Sequence, residues 1–162
     1  MLSASTIYGA DNEIYVDQSG TGANIDLEQL GISNIIGGLN ATAGASNMTP
    51  LDLDGNSMTL DINMIGATNK FLGDINADNF TGLYNFTGGT NSFTIQVDPT
   101  NTYSSDGSDQ NVAVTGSSNT FTLNQGTTAI AANLNLDWII QGSNNTVTSN
   151  INIDGATNYM DI

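Results

Sequence analysis

The amino-acid sequence predicts an all-β fold, a β-solenoid (β-helix-like) of stacked short strands with Gly-x-x-Asn turns, spanning residues 1–162 as a single repeat domain. A recurring tetrad, alternation of apolar and polar residues between its copies, and the lack of an apolar stripe at helical spacing lead to this reading.

The tetrad Gly-x-x-Asn occurs at Gly9 to Asn12, Gly31 to Asn34, Gly66 to Asn69, Gly88 to Asn91, Gly116 to Asn119, Gly142 to Asn145 and Gly155 to Asn158. Looser copies end at Asn24, Asn47 and Asn56. Asn12, Asn34 and Asn56 follow at steps of 22 residues, as do Asn69 and Asn91, with half-steps of 10 to 13 elsewhere. Two strands and two turns per coil fit that interval, with loops expected over Asp98 to Gln110 and Gln125 to Ala132. Gly and Asn reach positive φ more easily than other residues, which suits tight turns. Stacking would align Asn12, Asn24, Asn34, Asn69, Asn91, Asn119, Asn145 and Asn158 as structural residues of hydrogen-bonded ladders along the axis.

Between tetrads the period is that of a strand. Met58, Leu60, Ile62 and Met64 share one face while Thr59, Asp61 and Asn63 share the other, and Phe93, Ile95, Val97 and Leu134, Leu136, Trp138, Ile140 repeat the pattern. The expected inward residues include Leu60, Ile62, Phe93, Ile95, Phe121, Leu123, Leu136, Ile151 and Ile153. The aromatic set Tyr15, Phe71, Phe80, Tyr84, Phe86, Phe93, Phe121, Trp138 and Tyr159 reads as solenoid filling or coil-end packing.

Charge and composition narrow the function. Lys70 is the sole basic side chain against 16 acidic ones, a formal net charge of -15. Binding to nucleic acid, which draws its affinity from neutralised phosphates, is excluded, and so is attraction to an anionic membrane surface. With no His and no Cys, the commonest acid/base group and thiol chemistry are missing. The segment Met1 to Ile7 has neither a basic region nor a long apolar stretch, so a secretory signal peptide is not expected, and no run reaches transmembrane length.

The chemistry-bearing groups read mostly as structural. Ser3 and Thr6 have no His to activate them, and Lys70 has no Ser-x-x-Lys context. The carboxylate pairs Asp52/Asp54 and Asp106/Asp109 sit in stretches that read as solvated turns, so no enzyme and no cofactor is expected. Asp52, Asp54 and Asn56 form a weak calcium candidate, an oxygen-rich loop that lacks the terminal Glu of an EF-hand. A hydroxyl-apolar-Thr triplet recurs at Ser57 to Thr59, Ser92 to Thr94, Thr120 to Thr122 and Thr146 to Thr148. Stacked in register it resembles the face of ice-binding β-solenoids, although Thr also favours any exposed strand.

Two resemblances carry the functional expectation. Gln18 to Asn24 and Gln29 to Asn34 resemble the Gln-x-Gly-x-x-Asn repeat of curlins, the subunits of bacterial curli fibrils, over the first 40 residues. Further on, Met64, Val114 and Ile140 stand where the Gln would be. As a whole the chain resembles the Asn/Gly/Thr-rich virion structural proteins of marine tailed phages, cyanophages especially. That resemblance implies capsid decoration or a fibre role in the virion, with a secreted curli-like fibril as the alternative and an ice-binding solenoid as the third. Homo-oligomeric or head-to-tail self-assembly, and contact with phage capsid or other virion proteins, are expected because no terminal cap is visible around Gly9 to Asn12 or from Ile151 to Ile162.

Overall fold

The computed structural model describes residues 5–10, 12–37, 49–97, 106–125, 132–151 and 159–161. Among them the chain forms strands and no helix: β1 (Ser5–Ala10), β2 (Glu13–Tyr15), β3 (Asp17–Thr21), β4 (Asn24–Ile32), β5 (Ile35–Gly37), β6 (Leu51–Asn56), β7 (Thr59–Ala67) and β8 (Lys70–Asp78). Then come β9 (Thr81–Thr87), β10 (Ser92–Val97), β11 (Asp109–Thr115), β12 (Thr120–Gln125), β13 (Asn135–Gln141), β14 (Thr146–Ile151) and β15 (Tyr159–Asp161). They pair in parallel into two sheets, β1-β4-β7-β9-β11-β13-β15 and β14-β12-β10-β8-β5-β2, with β3 pairing β6 and β6 pairing β8. The chain passes from one sheet to the other and back, and each coil lies in register on the last. The fold is a β-solenoid, as the sequence predicts.

Alternation becomes a core because pairing is in register. β7 buries Leu60, Ile62 and Met64 and turns Thr59, Asp61 and Asn63 outward. Leu27, Ile62, Tyr84, Val112 and Trp138 then form one inward column, and Ile36, Phe71, Phe93, Phe121 and Val147 form another on the facing sheet. Phe86 stacks on Phe93 across the core with ring centroids 3.6 Å apart, and Phe121 meets Trp138 edge-on at 5.2 Å. Each such side chain contributes roughly 1.5–3 kcal/mol by leaving water. Gly82 stands at an inward position because the ring of Tyr84 occupies the space a Cβ would need.

Of the expected inward residues, Leu60, Ile62, Phe93, Ile95, Phe121, Leu123 and Leu136 are buried and Ile151 is partly so, while Ile153 lies outside the described residues. Seven of the nine aromatics singled out from sequence are buried; Tyr15 and Tyr159 are exposed on end strands.

Two kinds of corner join the sheets. At the first, Gly31, Gly66, Gly88, Gly116 and Gly142 have φ between 122° and 139°, and two positions later Ser33, Thr68, Thr90, Ser118 and Asn144 sit at φ of 57° to 62°. An Asn follows each time. At the second corner the left-handed residue is Gly22, Ser57, Asn79, Gly107 or Asn133, followed by Ala23, Met58, Phe80, Ser108 or Leu134. That corner has no shared sequence signature. The expected loops also need adjusting: Gln110 belongs to β11 and Gln125 to β12, while 98–105 and 126–131 are outside the described residues.

Candidate functional site

The first corner builds the most regular feature of the molecule, a column of Asn12, Asn34, Asn69, Asn91, Asn119 and Asn145. The backbone N–H of each of the first five donates to the side-chain oxygen of the next, at 3.2, 2.9, 2.8, 3.0 and 3.0 Å. In return Nδ2 of Asn69, Asn91, Asn119 and Asn145 donates to the carbonyl of Gly31, Gly66, Gly88 and Gly116 at 3.5, 3.1, 2.9 and 2.9 Å. Asn69, Asn91, Asn119 and Asn145 each thus satisfy two backbone groups that the corner would strand in the coil before them. Only a side chain with a donor and an acceptor on one planar group does both, and Asp, acceptor-only when ionised, does not. Asn34, Asn69, Asn91 and Asn119 are buried.

One Asn named from sequence stands elsewhere, and another falls outside the described residues. Asn24 is exposed at the start of β4, at the second corner, and pairs across the sheet with Thr59. Asn158 lies outside the described residues. The 22-residue step from Asn34 to Asn56 is not a ladder step, because the partner of Asn34 is Asn69, 35 residues on, and Asn56 closes β6. The curlin-like Gln is buried as Gln29, whose Nε2 donates to the carbonyls of Asn12 and Ile35 at 3.3 Å each. Its column continues with Met64, Phe86, Val114 and Ile140, so the glutamine ladder ends after one described rung.

Asp52, Asp54 and Asn56 require a correction. They occupy alternate positions of β6, a straight strand and not a loop, spaced by about 6.6 Å along it. A strand cannot wrap the six to eight oxygens that calcium takes. Asp17, Asp52 and Asp74 instead stack as neighbours across three strands. Partial burial, with Asp54 and Asp17 adding repulsion, raises the pKa of Asp52, and burial with Asp26 alongside raises that of Asp61. No group of three or more acidic residues converges for a metal among the described residues.

Of the other carboxylate pair, Asp106 lies in a turn, whereas Asp109 opens β11 and is not in a turn as expected. Asp106 Oδ1 accepts the N–H of Ala132 at 2.7 Å, and Asp109 Oδ1 accepts from Asn111 and Asn135 at 2.9 and 3.0 Å. A shallow depression of about 240 Å³ on the first sheet has Asp61 and Asp137 among its lining residues, with Leu83 and Ile139. Three rungs separate its two carboxylates, about 14 Å at strand spacing. That exceeds the reach of a glycosidase acid/base pair, at most about 9.5 Å.

The hydroxyl triplets do align. Ser92, Thr120 and Thr146 form one outward column, and Thr94, Thr122 and Thr148 form the next. Gln96, Asn124 and Asn150 make a third, with Asn150 donating to Asn124 at 2.8 Å. This patch carries no charge. The triplet at Ser57 to Thr59 is not part of it, since Ser57 lies in the second corner and Thr59 opens β7 on the other sheet.

One buried group was not foreseen. Gln110 and Gln125 are fully buried near the second corner, and among the described residues neither amide nitrogen nor oxygen has a hydrogen-bond partner. No protein-family model matches the chain, and no curated protein or solved structure matches it either.

Proposed function

We propose that the protein is a non-enzymatic structural subunit of a larger assembly, a phage virion component that decorates the capsid or contributes to a fibre. The observation that carries the assembly reading is an uncovered end. Val147 continues the inward column of Phe71, Phe93 and Phe121, yet it is 39% exposed where those are buried. Among the described residues an inward apolar column left exposed favours a further layer against it.

A curli-like fibril is the alternative. The single Gln29 rung, followed by apolar residues in its column, favours the virion over an amyloid ladder, in line with the overall sequence character. Immunogold labelling of virions that encode the chain tests the choice. Labelling at a fixed place on head or fibre supports the virion reading; unlabelled virions, together with unbounded fibres of the purified chain, support the curli-like one.

The uncharged hydroxyl patch favours a second reading. Columns about 4.8 Å apart, with residues about 6.6 Å apart along each strand, form a regular net that ordered water can follow, as at an ice surface. Inhibition of ice recrystallisation, lost in Thr122→Lys but kept in Asn63→Lys on the other sheet, would support ice binding. No inhibition by the folded protein would end it.

A further inference from the structure

The outward face of the first sheet breaks its own pattern at one place. Followed from β4 through β7, β9 and β11 to β13, one outward column reads Asp26, Asp61, Leu83, Asn111 and Asp137, and the next reads Glu28, Asn63, Asn85, Ala113 and Ile139. Every other position in the two columns is polar or acidic, and Ile139 is 54% exposed. The strand does not require an outward Leu or Ile, since Thr suits an exposed strand as well and keeps its hydroxyl in water. Ala113 forms the floor of the shallow depression described above: Asn85 and Ile139 flank it in its own column, and Asn111 stands two residues before it on β11.

Carboxylates stand at both ends of this apolar strip, Asp61 at one and Asp137 at the other, about 14 Å apart over three rungs. Their charge is not answered on this sheet, because the chain's sole basic side chain, Lys70, belongs to β8 of the second. Burial, with Asp26 alongside, raises the pKa of Asp61, so its ionised form is held at a cost that an incoming cation would relieve. Beside that end, Oδ1 of Asn63 is buried with no hydrogen-bond partner among the described residues, a further acceptor facing no donor.

We infer that this groove binds a linear polyamine, with one terminal ammonium at Asp61, the other at Asp137, and the alkyl chain between them lying across Leu83, Ala113 and Ile139. The groove is complete within one chain and does not depend on assembly.

Separated charge and an apolar middle select that class of ligand. A divalent metal ion needs several oxygens at one point, and no such group of acidic residues converges among the described residues. An anion is repelled. A polyamine spreads its charge over a distance and carries methylenes in between. With about 2.8 Å for each charge-assisted hydrogen bond, about 9 Å is left between the terminal nitrogens, within the reach of spermidine and beyond that of putrescine. Nδ2 of Asn111 donates to Asp109 Oδ1 at 2.9 Å, so its oxygen is the atom offered to the groove and can accept from the central amine.

Isothermal titration calorimetry of the purified chain with spermidine, at low ionic strength so that ion pairs are not screened, tests this. Saturable binding at one site per chain is expected, weakened about two- to fivefold by D61N or by D137N and further by both together. Putrescine should bind several-fold more weakly than spermidine. Ala113→Leu keeps every charge and fills the floor of the groove, so it should remove saturable binding while the circular dichroism stays that of the parent. D17N/D54N takes the same charge from the second sheet and should leave the affinity as it was. Binding that falls as much in D17N/D54N as in D61N/D137N would overturn the groove and mean a diffuse counterion cloud around a chain of net charge -15. So would binding that survives in a folded A113L, or no binding by the folded parent. Should A113L fail to fold, the two double variants decide between groove and cloud on their own.

Discussion

The side-chain oxygen of Asn91 accepts the backbone N–H of Asn69 at 2.8 Å while its amide donates to the Gly66 carbonyl at 3.1 Å, so one side chain closes the corner of the coil before it. Removing it strands two backbone groups at a buried site. Asn91→Ala should lower stability by about 2–6 kcal/mol, from a cost of about 1–3 for each unsatisfied group. Asn24→Ala, at an exposed position, should change it by less than about 0.5 kcal/mol. Urea unfolding midpoints check both, and equal effects would mean the ladder is not specific.

The tetrad's first and third positions should respond in opposite ways. Gly88 has φ of 131° and any Cβ there would run into the Gly66 carbonyl oxygen, so Gly88→Ala should prevent folding or cost more than about 3 kcal/mol. Thr90, a β-branched residue at φ 62°, is strained by about 1 kcal/mol or more. Thr90→Asn relieves this and should raise the thermal midpoint.

Much of the fold was legible because one physical rule wrote it twice. Alternation in Met58 to Met64 fixed which side faces in, and Gly with Asn marked the first corner. The second corner was not legible, because its requirement is only a left-handed residue, met by Gly22, Ser57, Asn79, Gly107 and Asn133 in turn. For that reason the sequence pattern puts Asn24 in the ladder and reads the strand from Asp52 to Asn56 as a turn.

Gln110 and Gln125 should be the least stabilising residues of the core. Replacing an unpartnered buried amide by an apolar group of similar shape removes a desolvation cost of about 1–3 kcal/mol. Gln110→Leu, between Gly82 and Leu136 in its column, should therefore raise the unfolding midpoint. A drop would show that the amide is satisfied in solution by water.

Acid should stabilise the protein over part of its range. Asp52 and Asp61 have folded pKa values raised above the ordinary 3.8, so the folded state binds more protons than the unfolded one within that window. This contribution is present in full below 3.8 and is lost as pH rises through the raised values. The thermal midpoint should climb as the buffer is taken from pH 7 toward pH 4, and D52N/D61N should flatten the climb. A calcium chelator should leave the midpoint unchanged at any of these pH values.

Electron cryo-microscopy of the purified chain at high salt tests the central claim, that this is a solenoid subunit completed by stacking along its own axis. Among the described residues the second sheet contributes six rungs per copy, β2 with β3, β5 with β6, β8, β10, β12 and β14. The account predicts rods with a strand repeat near 4.8 Å and a subunit repeat of about 29 Å along the axis. Particles that remain single, or that join side by side without an axial repeat of that size, would contradict it.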